Sequence, residues 1–156
     1  MNPSHAPDPS TESAWNDRLR LMLLNETQVR GALERHAASA PQALRARYDA
    51  ILDISERRLS ALETALRARG QKIGSGSRRL VHILGTLAGR ITSWGGARRV
   101  LSMDIDGIRG LEAAYFEAYH EKPPHDIQCM LTAFIGDLER ERAALVAEAL
   151  PLFPRT

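Results

Sequence analysis

The chain has a single cysteine among its 156 residues, Cys129. One thiol excludes an internal disulfide framework and any zinc site built on several cysteines. It fits a reducing cytoplasm, and Cys129 itself reads as a buried structural thiol. Aromatic residues are also scarce, at 5%. Proteins that bind single-stranded nucleic acid stack bases on aromatic side chains and gather their basic residues on one face. Here the charges are interspersed, with paired arginines at 57–58, 78–79 and 98–99. Lysine is nearly missing: 19 Arg and 2 Lys stand against 19 acidic residues, and the net charge is only +2. Nucleic acid is therefore not an expected partner. No apolar run reaches the roughly 18 residues that span a bilayer. The first dozen residues, MNPSHAPDPSTE, carry no apolar core of a signal peptide. There is no glycine-rich phosphate loop, no dinucleotide fingerprint and no catalytic-triad pattern.

What remains is helical periodicity. Hydrophobic content of 44% with 26% charged residues suits one soluble globular domain. Residues 1–12 read as a disordered tail, 13–150 as a single helical bundle and 151–156 as a short C-terminal tail. The first helix is expected from about Ser13 to Ala38, with Trp15, Leu19, Met22, Val29 and Leu33 on one face. SAPQ at 39–42 supplies a stop and a new start, with Ser39 as N-cap and Gln42 at capping-box spacing. The second helix runs from about Pro41 to Arg69, where Gly70 ends it. The third runs from about Ala97 to His120. Pro123 and Pro124 then break the chain, and the fourth helix runs from about His125 to Leu150. Between the second and third lies a long link, QKIGSGS followed by the amphipathic stretch 78–94.

Each long helix carries a carboxylate on or beside its apolar face near mid-length. These are Glu26, Glu56, Glu112 and Glu141. A buried lone carboxylate is costly, so such groups are paired, protonated or metal-bound. Arginines stand nearby: Arg30 is four residues after Glu26, and Arg109 three before Glu112. Glu56 and Glu141 are flanked by Arg57, Arg58, Arg140 and Arg142, which reads as a solvated charged face. His36 and His120 lie at helix ends, where the macrodipole favours a protonated imidazole, so both read as cap histidines. Tyr115 and Tyr119 read as core tyrosines.

Glu26 followed by TQVRGALERHA resembles the first helix of rubrerythrins, and LVHILGTLAGRITSWGG resembles the apolar crossover of demethoxyubiquinone hydroxylases. In general character the chain is similar to bacterial ferritin-like proteins. The resemblance covers about residues 15–148 and implies an all-α, ferritin-like four-helix bundle with a long crossover between helices 2 and 3. It also implies a di-iron or di-manganese site, made from a Glu on each of two helices and a Glu-x-x-His on each of the other two. Glu26, Glu56, Glu112 and Glu141 would be its ligands. The sequence departs from that pattern: Leu59 stands where Glu56 needs its His, and Ala144 stands three after Glu141.

The expectation is thus a bundle whose metal site is incomplete, with no cofactor, acting as a structural or interaction module through self-association or a protein partner. Two alternatives stand beside it. One is an all-carboxylate iron or manganese site. The other is peripheral membrane contact through residues 78–99: the stretch 78–94 either caps one side of the bundle or offers a face of Arg78, Arg79, Leu84, Leu87, Ile91 and Trp94 to an anionic membrane or a partner's groove.

Overall fold

The computed structural model describes residues 9–73 and 96–152. These residues form four α-helices and no strand: α1 (Pro9–Ser39), α2 (Gln42–Ala68), α3 (Ala97–His120) and α4 (His125–Leu152). The amphipathic stretch 78–94, and with it Arg78, Arg79, His82, Leu84, Leu87, Ile91 and Trp94, lies outside the described residues.

Helix boundaries follow local chemistry. α1 starts at Pro9, four residues ahead of the expected Ser13, and a proline is tolerated there because first-turn N–H groups have no intrahelical acceptor. The capping box expected at 39–42 does not form. Ser39 still belongs to α1, its hydroxyl donates to the His36 carbonyl, and Pro41 caps α2 without a side-chain bond. α2 ends as its sequence implies: Gly70 takes φ +69°, and the N–H groups of Gly70 and Gln71 return to the carbonyls of Arg67 and Leu66. That pair of bonds is a Schellman ending, which needs a residue free to adopt the left-handed region. α4 runs on through 151 and 152, two residues assigned to the tail by sequence.

The core is a continuous apolar seam. Trp15, Leu19, Met22 and Leu33 from α1 meet Leu44, Tyr48, Ile51, Leu62 and Leu66 from α2. Leu101, Ile108, Leu111 and Tyr115 from α3 and Ile127, Leu131, Phe134, Leu138 and Leu145 from α4 complete it. In the described residues no helix is long and apolar enough to cross a membrane.

Packing defines the helix order. α1 packs chiefly on α2 and α3 on α4, while α1–α3 and α2–α4 close the bundle. Cross-helix bonds set the directions. Arg18 at the start of α1 pairs with Glu121 just past the end of α3, and His36 at the end of α1 meets Asp104 near the start of α3. Arg69 after α2 pairs with Asp126 at the start of α4, and Arg47 early in α2 pairs with Glu148 late in α4. All four neighbouring pairs are therefore antiparallel, and the diagonal partners α2 and α3 run parallel. The chain leaves α2 at one end of the bundle and enters α3 at the other. α2 has 27 residues, a length of roughly 40 Å at the helical rise.

Candidate functional site: a buried charge cluster at mid-bundle

The three-and-four rhythm of α2, through Leu44, Tyr48 and Ile51, lands next on Ser55 and Arg58. Both are buried, and Arg58 keeps only 2% of its surface exposed. The same rhythm carries Glu26 inward on α1, Tyr115 on α3 and Glu141 on α4, with exposures of 1%, 0% and 3%. One polar constellation at mid-length thus draws on all four helices.

Arg58 is its centre. Its Nε and Nη2 donate to Glu26 Oε1 at 3.1 and 2.9 Å. Its Nη1 donates to Glu141 Oε1 at 2.6 Å, and Nη2 donates to Glu141 Oε2 at 3.2 Å. Ser55 Oγ donates to Glu26 Oε1 at 2.7 Å, and the Tyr115 hydroxyl donates to Glu26 Oε2 at 2.8 Å. Glu26 therefore accepts four hydrogen bonds, three at Oε1 and one at Oε2.

The electrostatics follow from burial and pairing. Burial opposes the Arg58 charge, but Glu26 and Glu141 more than offset it, so its pKa stands above the ordinary arginine value. Burial pushes the Glu141 carboxyl upward, and the Arg58 hydrogen bond and charge only partly counter that. Burial, then the Glu26 charge, drives the Tyr115 phenol well above its usual range, so the hydroxyl remains a donor. A guanidinium held between two carboxylates is a satisfied network in which each member needs the others.

The sequence-expected carboxylates separate into two groups. Glu26 and Glu141 come together in the core. Glu56 and Glu112 do not join them. Glu56 lies on the outer edge of α2 with its side chain 52% exposed and pairs with Arg30 at 2.6 Å. Glu112 pairs with Arg142 of α4 at 2.8 Å, on the edge of the α3–α4 seam. The arginine partners also differ from those suggested by sequence proximity. Arg30 serves Glu34 and Glu56, not Glu26, and Arg109 pairs with Asp106, not Glu112. Glu141 is not on a solvated face, because position 141 follows Leu131, Phe134 and Leu138 in the buried stripe. Among the described residues no group of three or more His, Cys, Asp or Glu is placed to hold a metal ion.

A second buried cluster lies toward the end of the bundle where α1 finishes and α2 and α3 begin. His36 Nδ1 is 2.6 Å from Asp104 Oδ1, and the Tyr48 hydroxyl donates to Asp104 Oδ2 at 2.5 Å. His36 is 2% exposed, so it is not a surface cap histidine as its helix-end position implied. His36 and Tyr48 border a cleft of about 230 Å³ that is otherwise lined by Leu44, Ala97, Val100, Leu101 and the 39–41 turn. His120, by contrast, is exposed and meets the rings of Phe116 and Tyr119 edge-on. Cys129 is exposed as well, with His125 Nε2 3.9 Å from its sulfur, so the buried-thiol reading does not hold. The reason is register: the buried positions of α4 are 127, 131 and 134, which turns 129 outward.

The chain matches no protein-family model, no curated protein and no solved structure.

Proposed function

We propose that the chain is a ferritin-like bundle in which an internal arginine–carboxylate cluster stands in place of a metal centre. In this reading it works as a non-enzymatic structural or protein-interaction module. The helix order supports the fold assignment. Two antiparallel hairpins are joined by a link whose ends lie at opposite ends of the bundle, as a single long crossover requires. The observation that carries the functional reading is Arg58. The residues at mid-bundle fit a guanidinium and do not fit a pair of metal ions, because a fixed positive charge sits between the two core carboxylates. Tyr115 and Ser55 donate to Glu26 rather than standing ready for a ligand.

The partner is a protein, a second copy of this chain being the simplest. Among the described residues, Leu21 and Leu24 on α1, Met103 and Phe116 on α3 and Val146 on α4 are exposed large apolar side chains that such a contact would use. The deciding experiment is elemental analysis of chain purified without chelator and then offered iron(II) and manganese(II), alongside sedimentation velocity. Background metal with concentration-dependent association is the expected result. About two tightly held equivalents of metal per chain, the stoichiometry of a di-metal bundle site, would overturn the reading.

A further inference from the structure

One nitrogen of Arg58 occupies a telling place. Nη2 lies 2.9 Å from Glu26 Oε1 and 3.2 Å from Glu141 Oε2, so a single point in the core is shared by carboxylates from two diagonal helices. The two groups that Nη2 joins are carboxylates, hard oxygen donors, and Ser55 and Tyr115 hold one of them, Glu26, in place. Hard divalent cations bind such oxygens at about 2.0–2.6 Å. The acceptors would need to close by about 1 Å or less to hold one there. The guanidinium prevents this in two ways. It fills the volume, and its charge repels a second cation in a medium that screens poorly.

We propose that Arg58 is the resident counter-cation of the core and the residue that keeps divalent metal out of it. Removal of its side chain leaves Glu26 and Glu141 as an uncompensated anionic pair, and that pair recruits a hard divalent cation. The inference rests on the metal-free reading above and extends it by naming the residue responsible. The surrounding structure favours the exchange. Glu26 is steadied from two sides by Ser55 and Tyr115, whose bonds to it do not involve Arg58. Its carboxylate therefore keeps its orientation when the guanidinium is gone.

The test uses the full-length chain and Mn2+ as the probe. Wild type, Arg58→Ala, Arg58→His and the double variant Arg58→Ala/Glu26→Gln are titrated. Bound metal is read from loss of the free-Mn2+ paramagnetic signal, and melting temperature is followed in parallel. The expected result is no binding by wild type and about one equivalent bound by Arg58→Ala, at least about a hundredfold more tightly, with a raised melting temperature. Binding should be lost in the double variant. If Arg58→Ala is unfolded without metal, Mn2+ should restore its helical circular dichroism, since a ligand that binds only the folded state refolds it. Failure to restore it overturns the inference. So does a folded Arg58→Ala or Arg58→His that binds Mn2+ no better than wild type, and in that case the metal-free reading of the native chain stands. Wild type that binds Mn2+ through Glu26 defeats both.

Discussion

Arg58 reaches from α2 to α4 and holds Glu141 with two nitrogens, Nη1 at 2.6 Å and Nη2 at 3.2 Å. The contact links helices whose neighbouring ion pairs, Arg47–Glu148 and Arg69–Asp126, lie near the two bundle ends. It is the mid-length fastening of that interface. It also brings the charge of α4 to Glu26 on α1, the diagonal helix.

Breaking this cluster from one side should be far worse than removing it whole. Arg58→Met strands Glu26 and Glu141 in the core, at a cost of about 3–5 kcal/mol. Replacing the set together, as Glu26→Leu/Ser55→Ala/Arg58→Met/Tyr115→Phe/Glu141→Leu, removes every charge of this cluster and every group bonded to it. Such replacements are often neutral, or stabilising by about 1–4 kcal/mol. Urea unfolding of both variants reads the contrast. A fivefold variant as damaged as Arg58→Met would show that the cluster stabilises the fold on balance.

The outer carboxylates make the opposite prediction. Glu56→Ala and Glu112→Ala each remove an ion pair at the bundle surface, where such pairs contribute about 0–1 kcal/mol. Glu26→Ala removes the acceptor of four bonds and leaves Arg58 with one partner, so it should cost several times more. Melting temperatures of the three variants rank them. A Glu56 or Glu112 variant as destabilised as the Glu26 variant would mean that those pairs are coupled to the core.

Why sequence separated Glu26 and Glu141 from the others so poorly is a matter of register. On α4 the apolar positions 127, 131, 134, 138 and 145 leave only 141 to complete the stripe, and Glu141 is buried. On α2 the apolar Leu52 and Leu59 permit a stripe through Glu56, but of these three only Leu59 is buried, beside Tyr48, Ile51, Ser55, Arg58 and Leu62. On α3 an apolar stripe through Leu101 and Ile108 takes Ile105, but the buried one of the neighbours is the polar Asp104. The rule that apolar residues mark the core fails at the positions where the core is polar. Continuing the 44–48–51 rhythm without regard to polarity would have reached Arg58. The helices themselves were legible because glycine and proline punctuate them, and α3 begins and ends where its sequence placed it. No local signal tied Asp104 to His36 and Tyr48, since these come together only through packing of three helices.

Glu141 gives the cluster a pH signature. Burial raises its carboxyl above the ordinary glutamate value of 4.5. A raised folded-state pKa means that the folded chain holds the proton more tightly than the unfolded one. Its contribution to stability is then fully present below about 4.5 and is lost as pH rises through the folded value. Gln mimics the protonated side chain and cannot titrate. The stability advantage of wild type over Glu141→Gln should therefore be greatest at the acid end and shrink toward neutral pH. Asp126, whose carboxyl is held low by Arg69 despite some desolvation, has the reverse slope, but it is present in both proteins and cancels in the difference. Urea midpoints of the pair across this range check the sign. A difference that grows with pH would mean that the Arg58 charge outweighs burial at Glu141.

Tyr48 and Tyr115 should resist ionisation. Burial, reinforced by the Asp104 charge, raises Tyr48 far above the ordinary phenol value, and burial with the Glu26 charge does the same for Tyr115. Each hydroxyl donates to a carboxylate, and a phenolate there would face a like charge in the core. Alkaline titration followed by phenolate absorbance should show both transitions delayed until the chain unfolds. Tyr115→Phe and Tyr48→Phe should each remove part of that late amplitude. Early ionisation of either would mean that its bond to the carboxylate is open in solution.

Asp104 is the acceptor on which the end of the bundle depends. It takes one bond from Tyr48 on α2 and faces His36 on α1 at 2.6 Å, while itself belonging to α3. Asp104→Ala leaves the Tyr48 hydroxyl and the His36 Nδ1 buried without this acceptor, a loss of roughly 2–5 kcal/mol at the usual cost of unsatisfied buried groups. Tyr48→Phe removes only a donor and should cost about 1 kcal/mol, because Asp104 still faces His36. The two changes share one bond, so they should not add. In a double-mutant cycle, Tyr48→Phe made in the Asp104→Ala background should be nearly neutral or even restore stability, since it removes a hydroxyl that already lacks its partner. Chemical denaturation of the four proteins measures the coupling. Strict additivity would mean that Tyr48 and Asp104 stabilise the bundle independently.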